Sequence, residues 1–415
     1  MKKRRVVITG IGIVTPIGVG RDSFWRAART GVTGTRSLRA LPLSFPIDSL
    51  RSRVAALVPD DYLPPPIKPF PEGRHFVLGD LACRLACEDA CIDDLSGTRS
   101  AIVLGNAIGG TTAMEASFMA MDQDGELDPA LAPGALHGQM SFHSLTHELA
   151  LRFGCEGPAL TISTGCTAGM DSIATAFDLI RYGSVDLALT GASEAPISPV
   201  VFAAFDVIGA LTQRNWDAEH ASRPFDASRD GFVLGEGAAL VVLEEREQAL
   251  HRNARIYAEI VGFASVSNAY HMTDLPCDGG ALSRCVRLAL KDANIAAEDL
   301  DHVNAHGSST PQNDICETNA LKTALGKHAY RVPTSSLKSM IGHALGASNA
   351  IEVAAEALCI ANQFVYPTAN LDRPADGCDL DYVPKFGRAT KLEHVMKISN
   401  GFSGVHSALV LAAHS

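Results

Sequence analysis

The feature that most constrains the fold of this chain is a regular alternation of short apolar runs with longer amphipathic stretches. The apolar runs are bounded by Gly or Asn and are typical of buried strands. They lie at residues 5–10, 100–105, 159–163, 185–191, 237–243, 256–262, 301–305, 331–335, 394–399 and 407–413. Helical patterns lie between many of them, at residues 76–92, 167–182, 281–293, 314–325 and 346–361. The alternation predicts an α/β protein with helices packed on sheets, and it excludes an all-α or all-β fold.

Length and charge narrow the class of protein further. The 415 residues are enough for two to three domains of ~150 residues each. The net charge of −11 argues against binding to nucleic acid or to an anionic membrane. No apolar stretch reaches the ~18 uninterrupted residues that a membrane span needs. Cysteine positions do not suggest a secreted disulfide framework, so we expect a cytoplasmic protein.

Two short segments of the sequence echo each other. Residues 165–169 read Gly-Cys-Thr-Ala-Gly, and residues 342–346 read Gly-His-Ala-Leu-Gly. Each follows a predicted strand and opens a predicted helix. If the chain consists of two similar halves that divide near residue 250, Cys166 and His343 would project toward a shared interface. A match of five residues also arises by chance, so the echo alone leaves duplication open.

Cys166 is the candidate nucleophile. A helix N-terminus carries partial positive charge and free N–H groups, which predict a lowered thiol pKa and an oxyanion site. The alternative is a structural Cys in a tight turn. His306 and His343 each follow a predicted strand and are flanked by Gly and small residues. One Cys and two His in similar settings are the set expected for acyl-thioester chemistry.

Several other patterns do not complete a known site. Gly10 and Gly12 lack the third Gly of a dinucleotide fingerprint, and the chain contains no phosphate loop of the G-x-x-x-x-G-K-[ST] type. His143 and His147 are spaced as one helical turn, but the metalloprotease motif is incomplete. The sequence therefore predicts neither a nucleotide site nor a metal site.

Four ordered motifs resemble those of β-ketoacyl-[acyl-carrier-protein] synthases of the elongating, decarboxylating type. They are Ser-Thr-Gly-Cys166-Thr-Ala-Gly, Asn-Ala-His306-Gly-Ser-Ser-Thr, Lys338-Ser-Met-Ile-Gly-His343 and Asn-Gly-Phe402-Ser-Gly. The resemblance implies a thiolase-like fold of two duplicated halves in five layers, α/β/α/β/α. It implies that residues 1–250 carry the nucleophilic Cys and residues 251–415 carry the two His.

The resemblance also assigns the reacting groups. Cys166 would accept an acyl chain from a carrier-protein thioester. His306 and His343 would act as neutral imidazoles that stabilise the enolate formed when a malonyl thioester loses carbon dioxide. The backbone N–H groups of Cys166 and Phe402 would bind the oxyanion, and the Phe402 side chain would gate acyl entry.

Four more residues receive supporting roles by resemblance. The hydroxyls of Ser308 and Thr310 would bind the phosphopantetheine arm of the carrier, so no separate cofactor is expected. Lys338 would orient the site through hydrogen bonds, with Glu317 as its expected partner. Ser403 departs from the family pattern, which has Gly at that position, and we expect a stiffer Phe402 loop.

Motif details such as Ser267-Asn-Ala-Tyr-His-Met-Thr are more similar to ketosynthase subunits of type II polyketide synthases than to fatty-acid enzymes. The expected partners are an acyl carrier protein and either a second copy or a homologous chain-length factor. One alternative is elongation in primary fatty-acid synthesis. Another is a non-catalytic subunit that resembles a chain-length factor, but such partners normally lack the nucleophile that Cys166 supplies here.

Overall fold

The computed structural model describes residues 3–41, 47–63, 73–119, 138 and 140–414. The strands are β1 (Val6–Thr15), β2 (Gly18–Val19), β3 (Arg36–Ser37), β4 (Val54–Ala56), β5 (Ser100–Gly105), β6 (Ala159–Ile162), β7 (Leu187–Glu194), β8 (Leu234–Gly235), β9 (Gly237–Glu245), β10 (Ala258–Ser267), β11 (His302–Asn304), β12 (Thr334–Ser335), β13 (Phe364–Val365), β14 (Arg388–Ala389), β15 (His394–Asn400) and β16 (Val405–Ala412). The helices are α1 (Arg21–Thr30), α2 (Arg74–Ala90), α3 (Thr111–Met119), α4 (Ser144–Arg152), α5 (Ala168–Arg181), α6 (Pro199–Val207), α7 (Arg246–His251), α8 (Gly280–Ala293), α9 (Pro311–Leu325), α10 (Lys338–Ile341) and α11 (Leu345–Asn362). None of the helices in these described ranges is both long and apolar enough to cross a lipid bilayer.

Ten strands form one continuous path in the order β12-β11-β15-β16-β10-β1-β9-β7-β5-β6. The first half contributes β1, β5, β6, β7 and β9. If these strands are numbered one to five along the chain, their order from the edge of the sheet to its centre is three-two-four-five-one. The second half, β10, β11, β12, β15 and β16, has the same order. The senses of pairing also match, because β5 is parallel to β6 and β7 as β11 is parallel to β12 and β15. The repeated topology confirms two duplicated α/β halves.

The two halves meet at β1, which pairs antiparallel with β9 on one side and with β10 on the other. All ten residues of β1 are buried. The sequence predicts that this strand ends at Gly10, whereas in the structure it continues to Thr15. Gly10 and Gly12 remain in the strand because α2 packs directly on it, and a Cβ at either position would collide with a carbonyl oxygen of the helix.

Helices α5 and α11 lie at the centre of the molecule. Nearly every residue of α11 is buried, and it packs on β7 and β9 of the first half and on β15 of the second. The two helices cross where Gly169 meets Gly346, since a Cβ on Gly169 would lie 2.5 Å from the Gly346 carbonyl oxygen. Helices α2 and α4 cover the outer face of the first half, and α8 and α9 cover that of the second. The layers are therefore α/β/α/β/α, as predicted.

Candidate active site

The three predicted reacting side chains converge on one cavity. Cys166, His306 and His343 all line a cavity of about 270 Å³ at the junction of the two halves. The echoed segments explain the approach of two of them, because Cys166 lies two residues before α5 and His343 lies two residues before α11. The cavity wall also includes Phe205, Phe232, Ser308, Thr310, Asn400 and Phe402.

A buried carboxylate holds the turn that carries Cys166. The turn Gly165–Thr167 is a single 3₁₀ turn that runs into α5. The hydroxyls of Thr164 and Thr167 donate to Asp171 Oδ2 at 2.6 and 2.7 Å. Ser407 Oγ donates to the other oxygen of Asp171 at 2.6 Å and so ties β16 to the turn. Asp171 lies two residues beyond the Cys166 motif, and we assigned it no role from the sequence.

At Cys166, burial raises the thiol pKa by more than the helix N-terminus lowers it. The prediction of a lowered thiol pKa was wrong for the free protein, since desolvation raises the pKa of Cys166 to about 11. The Phe402 backbone N–H and the Lys338 ammonium oppose this shift, and Glu194 adds to it. Glu194 is itself buried, with its carboxyl group against the N–H groups of Ala107 and Ile108. Burial raises the pKa of Glu194 to about 8.

The two imidazoles lie edge to face with ring centroids 5.2 Å apart. His343 Nδ1 lies 3.0 Å from Ser348 Oγ, and His306 Nδ1 lies 3.4 Å from Ser399 Oγ. These contacts occupy the Nδ1 atoms and leave both Nε2 atoms for a ligand. Burial and the nearby Lys338 ammonium lower the pKa of both rings well below their usual range. Both rings are therefore neutral at physiological pH, as the predicted role requires.

Glu317 supports the backbone beside His306. Its carboxylate accepts hydrogen bonds from the backbone N–H groups of His306 and Gly307. Burial raises the pKa of this carboxyl above its usual range. The prediction that Glu317 is the partner of Lys338 was wrong. Glu317 orients His306 directly and does not need the lysine for that purpose.

Lys338 instead donates to Glu352 Oε1 of α11 at 2.7 Å. A second lysine, Lys397 of β15, lies 2.7 Å from Glu352 Oε2. All three side chains are buried. Sequence reasoning missed Glu352 and Lys397, which lie outside the residues that we took as motifs. The available signal was a charged residue inside a predominantly apolar helix and another inside a buried strand, where unpaired charge is costly.

The Phe402 loop closes over Cys166. A Cβ on Gly401 would lie 3.8 Å from the Cys166 backbone nitrogen, which shows how closely the loop approaches. The Phe402 ring is 37% exposed and lies 6.3 Å from the Phe205 ring. Ser403 has φ 69° and ψ 9°, a left-handed conformation that costs a non-Gly residue about 1–2 kcal/mol. This conformation explains why glycine suits the position and why the serine here is under strain.

Ser308 and Thr310 lie together at the cavity wall, with hydroxyl oxygens 3.0 Å apart. Thr310 also caps α9, because its Oγ1 accepts the N–H of Asn313 at 3.3 Å. Pro311 follows at the first helical position, where the missing N–H is not needed. The cap fixes the position of Thr310, and both residues line the cavity.

Comparison with known proteins agrees with this geometry. Residues 3–249 match the model of the β-ketoacyl synthase N-terminal domain, and residues 257–372 match that of the C-terminal domain. A putative polyketide β-ketoacyl synthase 1 from Streptomyces cyaneus is 46% identical over 98% of both chains. A solved structure described as a type II PKS acyl-carrier protein in complex with its ketosynthase bound to the hexaketide has a TM-score of 0.92 and 40% identity, with all of both chains covered.

A second solved structure, the ishigamide ketosynthase/chain length factor, has a TM-score of 0.88 and 32% identity, and the match covers 100% of both chains. Both family models together span most of the chain, and the Streptomyces cyaneus relative aligns over nearly its whole length. The chain therefore belongs to the β-ketoacyl synthase family.

Proposed function

We propose that this protein is the ketosynthase of a type II polyketide pathway, which extends an acyl chain on Cys166 with a two-carbon unit from malonyl carrier protein. One observation carries the proposal. A thiol and two neutral imidazoles line the same cavity, with the two imidazole rings 5.2 Å apart. This is the arrangement that acyl transfer followed by decarboxylative Claisen condensation requires.

In the first half-reaction, the sulfur of Cys166 attacks the thioester carbonyl of an acyl carrier. A carbon–sulfur bond to Cys166 forms, the bond to the pantetheine sulfur breaks, and the proton of the Cys166 thiol passes to the departing pantetheine thiolate. The transient oxyanion accepts hydrogen bonds from the backbone N–H groups of Cys166 and Phe402. Both groups already lie within bonding reach of the sulfur in the free protein.

In the second half-reaction, Nε2–H groups of His306 and His343 donate to the thioester oxygen of the malonyl unit. The bond to its carboxylate breaks, carbon dioxide leaves, and the electron pair remains as an enolate. The enolate carbon then attacks the acyl carbonyl on Cys166, a carbon–carbon bond forms, and the Cys166 sulfur leaves as a thiolate that takes up one proton from solvent. Neutral rings suit this role because they donate without first titrating.

The cavity wall supports delivery of both substrates on a carrier. Ser308 and Thr310 present hydroxyls to the cavity, where they can bond the amide groups of a phosphopantetheine arm. The reaction needs no added cofactor, because that arm is part of the carrier substrate. The partner is then an acyl carrier protein, and localisation in the cytoplasm stays a prediction.

The exposed edge of the sheet supports assembly with a homologous chain. Among the residues that the structure describes, strand β6 is the last strand of the path and has β5 as its one neighbour. Its residues Ala159 and Leu160 are exposed, and Leu160 is 39% exposed. An apolar edge strand invites a further strand from a partner. The predicted partner is either a second copy or a chain-length factor. The division into an N-terminal half of residues 1–250 and a C-terminal half of residues 251–415 also stays a prediction.

Two alternative functions are less well supported. A role as a non-catalytic partner, like a chain-length factor, conflicts with the intact thiol and imidazoles in one cavity. Elongation of primary fatty acids uses the same chemistry, but the relative from Streptomyces cyaneus is named for polyketide synthesis. We therefore place this chain in polyketide assembly.

The test is incubation with acyl and malonyl carrier proteins, alone and with a candidate partner chain. Mass spectrometry should find an acyl adduct on Cys166, and the condensation product should appear on the carrier. Absence of an adduct with the partner present would favour the scaffold role. Equal use of long saturated primers by the isolated protein would contradict the polyketide assignment.

A further inference from the structure

Two buried lysines share one carboxylate beneath the proposed condensing site. Lys338 and Lys397 contact different oxygens of Glu352, each at 2.7 Å. The three side chains, which we name the Lys–Glu–Lys cluster, are at most 1% exposed. A buried lysine is rarely retained without partners because desolvation of its charge is costly. Lys338 belongs to a family motif, whereas the proposed mechanism assigns no task to Lys397.

Lys397 binds more than Glu352. Its Nζ donates to the carbonyl oxygen of Ala305 at 3.0 Å and to Asn304 Oδ1 at 3.3 Å. Ala305 is the residue immediately before His306. The ammonium of Lys397 therefore ties the end of β11 to β15 and α11 at the point where the chain enters the His306 turn.

Strand β15 holds His306 from a second direction. Ser399 lies two residues after Lys397, and its Oγ contacts His306 Nδ1 at 3.4 Å. Glu317 binds the His306 backbone N–H from α9. The imidazole is thus fixed through its own backbone, through the preceding carbonyl and through its ring, and Lys397 supplies the second of these contacts.

The charge of the cluster also acts on both rings. The ammonium groups of Lys338 and Lys397 each lower the pKa of His306 and of His343. Burial lowers the pKa of Lys397 itself, while Glu352 opposes that shift and keeps the side chain charged. Neither lysine is among the described side chains that line the cavity. Lys397 can therefore influence the reaction only through other residues.

We propose that Lys397 is a positioning residue for the proposed decarboxylation: it fixes the Ala305–His306 segment and shares Glu352 with Lys338. The inference rests on the proposed function, because decarboxylation is the step in which both imidazoles act. A misplacement of reacting groups by ~1 Å costs about 10²-fold in rate. Acylation of Cys166 depends on the thiol and two backbone N–H groups, so it should be far less sensitive.

The test separates the two half-reactions in Lys397→Met, which removes the charge and the donors at similar side-chain length. Release of carbon dioxide from malonyl carrier protein should fall about 10²-fold, whereas the rate of acyl adduct formation on Cys166 should stay close to that of the wild-type protein. Lys397→Gln is smaller and keeps an N–H donor. It should show the same split, and it serves as the test if the Met variant does not fold.

Val395→Ala is the matched control, since Val395 is a fully buried apolar residue of the same strand. It should lower thermal stability without changing the ratio of the two half-reaction rates. The inference is overturned if folded Lys397 variants release carbon dioxide at the wild-type rate, or if they lose both half-reactions together. A wild-type protein that performs neither half-reaction overturns the proposed function and this inference with it. Normal wild-type activity with unaffected variants overturns only the role of Lys397.

Discussion

The pH dependence of Cys166 alkylation should show whether burial or the helix N-terminus dominates the thiol pKa. With a thiol pKa of about 11, about one molecule in ten thousand carries the thiolate at pH 7. Only the thiolate reacts with iodoacetamide. The second-order rate constant should therefore rise about tenfold per pH unit from about pH 7 to about pH 10.

The assay is mass spectrometry of the peptide that contains Cys166, because Cys91 and Cys277 are exposed and also react. A short peptide with one Cys, whose thiol pKa is about 8.5, provides the reference. Its rate should level off in the upper part of the range, where that of Cys166 is still rising. A Cys166 rate that already levels off between about pH 7 and pH 8 would refute the reasoning, because the helix terminus would then outweigh desolvation.

Two variants test how the charges of Lys338 and Glu194 change the pKa of Cys166. Lys338→Met removes an ammonium that lowers the pKa of Cys166, so alkylation at a given pH should become slower. Glu194→Gln should have little effect below about pH 8, because the pKa of Glu194 is about 8 and the carboxyl is mostly neutral there. At higher pH the same variant should react faster than the wild-type protein, which then carries the opposing charge. Equal profiles for all three proteins would contradict these assignments.

Two further predictions concern packing and binding. Gly169→Ala should lower the free energy of unfolding by about 1–3 kcal/mol, since its Cβ would lie 2.5 Å from the Gly346 carbonyl oxygen. Denaturant unfolding should show no comparable loss for Gly280→Ala, where the nearest atom is 3.6 Å away. Ser308→Ala should raise KM for malonyl carrier protein with little change in kcat, by a factor that corresponds to one hydrogen bond of about 0.5–1.5 kcal/mol. Steady-state kinetics that give an unchanged KM would argue against the pantetheine contact.

Local patterns were sufficient for the elements that carry the site. The helices predicted at 281–293 and 346–361 are observed as Gly280–Ala293 and Leu345–Asn362. Gly280 and Gly346 mark the starts of the two helices in the sequence, and the change of periodicity marks their ends. The convergence of Cys166 with His343 was expected if the chain is duplicated, because the echoed segments would then occupy equivalent positions, and the family resemblance added His306 to the same site.

Long-range contacts were not accessible in the same way. The partner of Lys338 could not be read from spacing, since Glu317 and Glu352 are both near it in sequence and only the packing of α11 decides between them. The thiol pKa was predicted in the wrong direction because sequence shows the helix start but not the side chains that surround the sulfur. The length of β1 was underestimated because the glycines that normally interrupt a strand here admit a neighbouring helix.

The central place of β1 has a consequence for biosynthesis. The strands that pair with β1 are residues 237–245 and 258–267, which are synthesised more than 200 residues after it. At 5–20 residues per second, the ribosome needs roughly 10–50 s to reach them. During that interval an apolar segment with open hydrogen-bonding edges awaits its neighbours, and such segments are prone to aggregate. Recombinant yield should therefore depend on slow, cool expression and on chaperone supply.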